Sequence, residues 1–455
     1  MQNGTSESHL RWYQGISRYQ WLVLLIASLG WVFDVFEGQI FVASMREAMP
    51  ALLGVAPTHA LVASWNDWAF GSFLLGGAFG GVLFGVMGDK IGRSRTMIIT
   101  ILFYSLFTCI TAFAQSAWQM VVLRFFVAMG VGGEWAVASA MVAEVMPQRS
   151  RSVMSSIFHA SSVFGTILAA VAGALVVGNA GLGESAWRWG FAIGVLPALL
   201  TVWIRFQLAE PQQWIDARRQ AEVDPSLRSG RVAELFNNEN IKNTLIAVTL
   251  SSIGLVTYWG VHISGKDVLL KHAEWRILNE AGVAHDAVNK QQILSQHKPE
   301  IKNAEMLSMI LNSVGGGLGL VLFGTISNSL GRKGAFVFYQ AIAFAISLLM
   351  FKLVQQPTTN VWVAMLVLPI FGFFTTGMHA GYAVYFPELY PTRLRGTGSG
   401  FCFNMGRLAT GVAFVVFGII TIPADQKPMM LAPLFLVGIV VVLFARETRN
   451  TELPN

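Results

Sequence analysis

The sequence predicts an all-α, multi-pass membrane protein with twelve transmembrane helices in two six-helix halves, and three observations lead to this fold class. The chain is 54% hydrophobic and only 12% charged, whereas a soluble domain carries about 25% charged residues. Its apolar residues form runs longer than about 18 residues, the length that a bilayer core requires of a helix. Short polar motifs of the first half also recur in the second.

The apolar runs divide into twelve expected spans. They lack the period-two alternation of a barrel strand, so helices are the structure that satisfies their backbone inside lipid. The first run follows two arginines and is expected to be a retained span, not a cleaved signal. The expected bounds are about 20–41, 67–88, 96–115, 118–142, 152–178, 189–208, 243–263, 306–327, 334–355, 361–385, 397–422 and 429–446.

The basic residues predict the orientation. Most Lys and Arg residues lie in loops on the side of the amino terminus. The short loops of the other side hold Arg46, Arg188, Lys352 and Lys427. The positive-inside rule therefore places both termini in the cytoplasm, and we expect the chain in the plasma (cytoplasmic or inner) membrane. This distribution also argues against a nucleic-acid partner, despite the net charge of +6. The only two cysteines lie inside apolar runs and predict no metal site.

Two segments are expected outside the membrane. Residues 209–242 are rich in both charges and form a cytoplasmic connector between an amino-terminal half, 1–208, and a carboxy-terminal half, 243–455. Residues 264–305 form a long extracytoplasmic loop between spans 7 and 8, with mixed charge and a helical pattern. We expect a surface helix there, and a lid or a partner-docking element is the alternative.

Two motifs repeat between the halves. The stretch 85–95 (GVMGDKIGRSR) returns in weaker form as 324–333 (GTISNSLGRK). The segments 144–151 and 388–395 share a Glu, a Pro three positions later, and Arg residues five and seven positions later. Each of this second pair lies at the end of the fourth span of its half. Such parallel repeats are typical of secondary transporters that bind substrate between their halves.

These motifs resemble those of a known family, the major facilitator superfamily. The stretch 85–95 is similar to its loop 2–3 signature, 124–135 (RFFVAMGVGGEW) to its span-4 pattern, and 387–396 (PELYPTRLRG) to its span-10 exit. Within the superfamily, GGEW in span 4 and Asn404 with Arg407 in span 11 most resemble proton symporters of sialate, carboxylates and other metabolites. The resemblance implies proton-coupled uptake of a small organic acid by alternating access, in a monomer without a cofactor.

Other functions remain open at this stage. Span 5 lacks the Gly-Pro motif of the superfamily's drug exporters, which favours uptake. Span 7 has Leu250, Ser251 and Ser252 without the Gln that precedes a similar stretch in sugar porters. A neutral sugar or polyol symporter or facilitator is one alternative, and a nutrient receptor that binds without transporting is another. An enzyme is not expected, because no metal-spaced cluster, nucleophile elbow or phosphate-binding loop occurs.

Three acids inside spans are the candidates for proton coupling, because a charge inside the membrane is costly. Asp34 and Glu37 are three residues apart in span 1 and are expected to share one helix face. When two carboxylates are this near each other in a low dielectric, at least one of them tends to keep its proton. Glu134 lies beside the glycines of span 4. The alternatives are that Glu37 is solvated at the outer mouth and that Glu134 makes a structural hydrogen bond.

Polar groups in other spans are the candidates for binding substrate. Arg407 lies near the middle of span 11, and its planar guanidinium suits a carboxylate. Asn404, one turn earlier, can add amide donors. Arg124 in span 4 is expected either to neutralise an acid of span 1 or to bind an anionic substrate. A structural ion pair is the alternative for Arg407.

His379 completes these candidates, because it falls near the repeat position of Glu134 in span 10. His159 and His262 also lie in spans. Lone histidines of this kind are more often packing residues. Asp67, at the outer edge of span 2, is expected to be solvated.

The stretch 85–95 is expected to form a cytoplasmic gate. Asp89 would face the positive amino-terminal end of span 11, Gly85 would allow the two to approach, and Arg93 and Arg95 would reach Glu144. The second copy has Asn where the first has Asp, which predicts an asymmetric gate. The gate residues are expected to be Gly85, Asp89, Lys90, Gly92, Arg93, Arg95, Glu144, Glu388 and Arg395.

Overall fold

The computed structural model describes residues 13–196, 203, 207–212, 214–216, 219, 232–284, 289–355, 357, 358, 360–391, 394–420, 422, 423 and 425–449. These residues contain helices and no strands. Within them, nine helices are long and apolar enough to cross a membrane. The expected all-α class is therefore confirmed.

The α-helices are numbered here in chain order. The first half contains α1 Arg18–Leu53, α2 Ala60–Ile91, α3 Arg93–Thr111, α4 Ala117–Val145, α5 Gln148–Ala160, α6 Ser162–Ala172 and α7 Ala186–Ala192. The second contains α8 Ile241–Thr257, α9 Asp267–Glu280, α10 Lys290–Gln296, α11 Lys298–Gln355, α12 Val361–Gly377, α13 Ala380–Glu388, α14 Arg395–Ile420, α15 Lys427–Leu431 and α16 Leu434–Leu443.

The helices account for every expected span except the sixth. Helix α11 is 58 residues long and turns at Gly331, whose φ of 81° interrupts the helical backbone, so it supplies spans 8 and 9. Span 12 is the shorter apolar segment Lys427–Leu443. Of span 6 the structure describes mainly the first part, up to residue 196. Much of the expected connector 209–242 also lies outside the described residues.

The two halves share a buried apolar cluster toward one end of the molecule. We call the face that carries the start of α1 and the end of α16 the terminal face, and the opposite face the far face. One cluster of buried apolar side chains joins Phe41 and Trp187 of the first half to Met306, Met309 and Phe414 of the second. These residues lie toward the far face.

Ion pairs between the halves also lie at the far face. Asp67 is only 3% exposed and pairs with Lys427. The expectation that Asp67 is solvated was therefore wrong, because a cation of the other half compensates its burial. Arg46 of α1 pairs with Glu274 of α9 at 3.2 Å.

The segment 264–305, expected to carry a surface helix, is largely helical, but its two ends are buried. Lys302 contacts Glu47 at 3.0 Å and Glu305 at 2.8 Å. Glu305 also pairs with Lys266 at 2.7 Å. Because these charges neutralise one another, α11 begins at Lys298, well before the bound of 306 expected from hydropathy.

At the terminal face, a carboxylate holds the helix that follows each copy of the repeated stretch. Glu210 accepts hydrogen bonds from the backbone N–H groups of Arg93, Ser94 and Arg95. In the second half, Glu447 accepts from the backbone N–H groups of residues 332 and 333. An anion at a helix amino terminus is favoured by the helix dipole and the unpaired N–H groups.

Burial raises the pKa of Glu447, but hydrogen bonds from backbone N–H groups outweigh that effect and hold the pKa below its ordinary value. Just before each of these helices is a glycine with positive φ, Gly92 at 115° and Gly331 at 81°. A side chain would be strained in that backbone conformation. The two copies therefore share a turn and a cap.

The expected gate is only partly visible in this conformation. Arg93 pairs with Glu144 at 2.9 Å, as expected, and Arg332 makes the matching pair with Glu388 at 2.9 Å. The exposed Arg95 makes no such pair in the described part of the chain. No described atom lies within 4 Å of a Cβ built at Gly85. The expected close approach at Gly85 is therefore absent here, because the halves are not packed together at that point.

The side chains of Asp89 and Arg395 lie outside the described part of the chain. Lys90 is exposed. Close helix packing through glycine occurs elsewhere in the first half, where α2 meets α4. A Cβ at Gly76 or Gly80 would come within 2.1 Å of a backbone oxygen of α4.

Candidate functional site

A cavity of about 250 Å³ lies between the halves. Helices α1, α2, α4, α5 and α6 line it from the first half, and α8, α11, α12, α13 and α14 from the second. Two interruptions shape its second-half wall. The turn Tyr258–His262 is a π-helix that follows α8, and the break between α12 and α13 leaves His379 at the start of a helix. Such interruptions are frequent at functional sites.

One end of the cavity carries opposite charges from the two halves. Asp34 is 1% exposed. The Tyr104 hydroxyl faces its carboxylate, but neither carboxylate oxygen makes a hydrogen bond of ordinary geometry to a described residue. The Arg407 guanidinium lies over the rings of Trp135 at 5.6 Å and Phe403 at 5.0 Å, and its buried Nη1 is likewise unpartnered within the described part. Asp34 and Arg407 interact electrostatically. Among the described lining residues, no others are Asp, Glu, Lys or Arg.

The other end of the cavity is polar but carries no Asp, Glu, Lys or Arg. Gln39 donates to the hydroxyl of Tyr258 at 3.1 Å, which joins the two halves. The Tyr258 ring stacks on His262 at 4.9 Å and meets His379 edge-on at 5.3 Å. His262 Nδ1 lies 2.7 Å from the hydroxyl of Thr375. Since Gln39 is five residues beyond Asp34 on α1, this end lies about 7 Å further toward the far face.

Glu37 and Glu134 are both fully buried but do not line the cavity. Glu37 accepts a hydrogen bond from the hydroxyl of Thr108 at 2.6 Å, so it points into the first half. Three residues along a helix leave an angle of about 60° between two side chains, which separates Glu37 from Asp34. Glu134 accepts a hydrogen bond from Thr100 at 3.2 Å.

Arg124 and Asn404, both expected to bind substrate, also lie away from the cavity. Arg124 donates to the backbone oxygen of Glu37 at 3.0 Å and lies 4.5 Å over the Phe73 ring. The Asn404 amide donates to the backbone oxygen of Gly400. The same side chain packs against Gly81 of α2, where a Cβ added to the glycine would lie only 2.7 Å from Asn404 Oδ1. Both therefore contact protein in this conformation.

The site includes Gln39, which the sequence left unassigned. It contacts Tyr258 of the other half, and no local sequence pattern connects the two. The histidines were visible as polar residues inside spans, but their common contact with Tyr258 requires the fold. Of the expected binding residues, Arg407 and His379 line the cavity.

Residues 21–269 match the sequence profile of the family described as Major Facilitator Superfamily. This segment is more than half of the chain, and it begins in the first helix and ends beyond the π-helical turn. The chain belongs to the major facilitator superfamily. The resemblance carried by the stretch 85–95 is thereby confirmed, and with it the assignment to transporters, which are not enzymes.

Relatives of this major facilitator protein match it over nearly their whole length. A probable 4-methylmuconolactone transporter of Cupriavidus pinatubonensis is 26% identical over 98% of this chain and 94% of its own. A sialic acid transporter of Escherichia coli is 28% identical over 88% of this chain and 86% of its own. The crystal structure of a D-xylose–proton symporter has a TM-score of 0.68 and 17% identity, covering 96% of this chain and 100% of the symporter. The last likeness shows the shared fold.

Proposed function

We propose that this protein carries a small organic acid across the membrane together with a proton, by alternating access between its halves. The observation that supports this most directly is the charged end of the cavity. Asp34 and Arg407 present unpartnered polar atoms to one enclosed space between the halves. A carboxylate that can hold a proton beside a guanidinium that can hold an anion is the minimum that such a symporter needs.

Asp34 is the proposed proton carrier. It is faced by Glu134, Arg407, Glu37 and the hydroxyl of Tyr104. When Asp34 is charged it attracts Arg407. When a proton neutralises it, the guanidinium becomes available to a substrate carboxylate. Proton and substrate therefore favour each other's binding, which is the coupling that symport requires. Glu134 is the second proposed proton site and Glu37 the third.

The organic-acid assignment has two supports. Arg407 is the cation of the cavity in the described part of the chain, and its fork of donors matches a carboxylate. Two relatives are named for sialic acid and 4-methylmuconolactone. Arg124, Asn404 and His379 are the further substrate residues proposed. Arg124 and Asn404 would act in a different conformation, since both contact protein here.

The conformation also fits one stage of an alternating-access cycle. The far face is closed by the ion pairs of Asp67 and Arg46 with the other half. At the terminal face, Gly85 has open space among the described residues. We propose that the gate residues of the stretches 85–95 and 388–395 close the terminal face in the opposite state. In this account both termini are cytoplasmic, the far face is outside, and the protein works as a monomer.

The test is a substrate screen followed by transport. Purified protein is scanned for thermal stabilisation by a library of organic acids, their neutral amides, sugars and polyols. Acids that stabilise are then supplied to proteoliposomes with the outside at lower pH. We expect accumulation that a protonophore abolishes. Stabilisation by neutral sugars alone would favour a sugar transporter, and binding without flux would favour a receptor.

Arg407→Lys is the matched variant for this screen, because it keeps the positive charge and removes the planar guanidinium that can bind a carboxylate in a bidentate manner. It should weaken acid binding by about tenfold while leaving the melting temperature of the unliganded protein within a few degrees. Equal acid affinity in this variant would contradict the role of Arg407.

A further inference from the structure

The unpartnered polar atoms that line the cavity indicate which hydrogen-bonding groups a bound substrate would carry. Four described lining residues carry buried side-chain atoms without a hydrogen-bond partner. They are Asp34, Gln39, His379 and Arg407. Buried polar atoms of native proteins are nearly always partnered, and an exception at a binding site marks where a ligand or water belongs.

The unpartnered atoms of these four residues fall into two chemically different groups. The carboxylate of Asp34 and Nη1 of Arg407 lie at the charged end. Gln39 Oε1 and His379 Nε2 lie at the other end, about 7 Å away along α1. Here the surroundings are the Tyr258 hydroxyl and a second imidazole, His262, and imidazoles are mostly neutral near pH 7. Lys266 lines a small neighbouring pocket with Gln39 and His262, but its ammonium group is already paired with Asp267 and Glu305. This end therefore offers hydrogen bonds without an unpaired compensating charge.

The charge balance limits the substrate to one negative charge. With both groups ionised, Asp34 and Arg407 cancel. Once the proposed proton occupies Asp34, the cavity keeps the single positive charge of Arg407, and one carboxylate neutralises it. A second carboxylate at the other, uncharged end of the cavity would face the amide of Gln39, the phenol of Tyr258 and the imidazoles of the two histidines. An uncompensated charge in a low-dielectric site is strongly unfavourable.

We infer that the substrate is a monocarboxylate that bears an uncharged hydrogen-bonding group, such as a hydroxyl, a carbonyl or a ring nitrogen, several ångströms from its carboxylate. The inference rests on the proposed function and adds the charge and the second polar group. Arg407 binds the carboxylate and His379 binds the distal group. The apolar walls between them include Trp31, Trp135 and Trp259, which suit a ring or an unsaturated chain.

Two sets of probes that differ in charge test this inference by thermal stabilisation and binding titration on the full chain. The first is nicotinate, pyridine-2,5-dicarboxylate, nicotinamide and benzoate. The second is glucuronate, glucarate and glucuronamide. In the set that fits the cavity, the monocarboxylate should bind at least about tenfold more tightly than the dicarboxylate and the amide.

The inference is overturned if a dicarboxylate binds as well as its monocarboxylate. It is also overturned if neither monocarboxylate binds although another class of acid from the library does. Both outcomes leave proton-coupled acid transport standing. If no acid of the library binds at all, the proposed function fails and the inference fails with it.

His379→Phe separates a specificity role from a structural one. The variant should weaken nicotinate about tenfold, or glucuronate if that set fits, because the distal group loses its partner. It should leave benzoate, which has no distal polar group, unchanged within about twofold. His297→Phe, at an exposed position outside the cavity, is the control and should change neither. Equal losses for nicotinate and benzoate would mean that His379 acts only in packing.

Discussion

Asp34 and Glu37 show how much three residues along one helix can change the role of a carboxylate. Asp34 faces the cavity with both oxygens unpartnered in the described part of the chain. Glu37 faces the interior of the first half and accepts the hydroxyl of Thr108. A proton that binds from the cavity reaches the first acid directly and the second only through the protein. Asp34 is therefore the better-placed carrier.

Asp34→Asn should uncouple transport from the proton gradient. The amide keeps the size of the side chain but cannot bind and release a proton, so accumulation driven by a pH gradient should fall at least about tenfold. Substrate counterflow, which needs no net proton movement, should persist within about threefold. Both are measured with labelled substrate in proteoliposomes.

Glu37→Gln ranks the two acids, since it neutralises an acid of the same helix that does not line the cavity. It should retain more gradient-driven accumulation than Asp34→Asn does. If Glu37→Gln loses accumulation and Asp34→Asn retains it, the two acids have been assigned the wrong way round.

At the residue scale, the sequence located charged candidates well and their neighbours poorly. Asp34 and Arg407 were predictable because a charge inside a span is costly and needs a reason. Asn404 was placed with Arg407 because the two are one turn apart. Side chains three residues apart on a helix still differ by about 60° around its axis, so Asn404 points toward Gly81 of α2 while Arg407 points into the cavity. Asp67 and Lys427 form an ion pair although they are 360 positions apart in the sequence, and no local sequence pattern predicts such a contact.

At the scale of elements, the two halves repeat a small structural unit beyond the repeated motif. In each, a glycine of positive φ precedes a helix, and a Glu from the end of the half accepts its first N–H groups, Glu210 in one and Glu447 in the other. The glycines and arginines of this unit were predictable from the repeat. The capping acids were not, because each is more than 110 positions from the N–H groups that it caps.

The cap at Glu447 should contribute stability that depends on pH. Its pKa is lower in the folded protein than in the unfolded chain, so the contribution is present above the ordinary Glu range and is lost as pH falls through the folded value. An anion at a helix start stabilises by about 0.3–1 kcal/mol. Glu447→Gln should therefore lower the melting temperature slightly at pH 7.

The difference in melting temperature between the variant and the parent should be smaller near pH 3 than at pH 7, because more of the carboxylate is protonated there. Glu280→Gln, which removes a carboxylate that is 65% exposed in its side chain at the end of α9, is the control and should change little at either pH. A Glu447→Gln deficit that is as large at pH 3 as at pH 7 would show that the carboxylate charge is not responsible.

The two copies of the gate should differ in importance. Asp89 has Asn328 as its counterpart, which keeps the turn without the charge and accepts a hydrogen bond from Arg332 at 2.9 Å. If the first copy latches the terminal face by its charge, Asp89→Asn should slow transport at least about tenfold, and Asn328→Ala by less than about threefold. Initial uptake rates at equal expression measure the difference. Equal effects would leave both copies as packing elements.

At the scale of the whole molecule, the far face is held closed by charges from both halves. Asp67 and Lys427 are 3% and 8% exposed, respectively, so removing one leaves the other buried without compensation. Breaking a buried pair this way costs about 3–5 kcal/mol. In a molecule with two open states, opening the far face relieves part of that cost. The twelve-span plan predicted two halves, and it could not predict which of the two faces is closed here.

Asp67→Asn should therefore shift the population toward an open far face. Spin labels at Thr58→Cys and Met430→Cys, both at exposed far-face positions, report the separation in a background with Cys109 and Cys402 replaced. The long-distance population should rise at least about tenfold. The double reversal, Asp67→Lys with Lys427→Asp, should restore the parent distribution.

Arg276→Gln is the control, because it breaks pairs with Glu280 and Glu300 within the second half, has a side chain that is 53% exposed, and should leave the distances unchanged. An unchanged distribution in a folded Asp67→Asn protein would mean that this pair does not hold the face closed.

The central claim is that an organic acid and a proton enter together through the cavity of Asp34 and Arg407. The most direct measurement is proton movement driven by substrate alone. Proteoliposomes that contain a trapped pH-sensitive dye receive an acid from the stabilisation screen, with no pH gradient imposed and with protein-free liposomes as the blank. The account predicts acidification of the lumen in the parent protein, and in Asp34→Asn no acidification while counterflow continues. Substrate entry without acidification in the parent protein would contradict it.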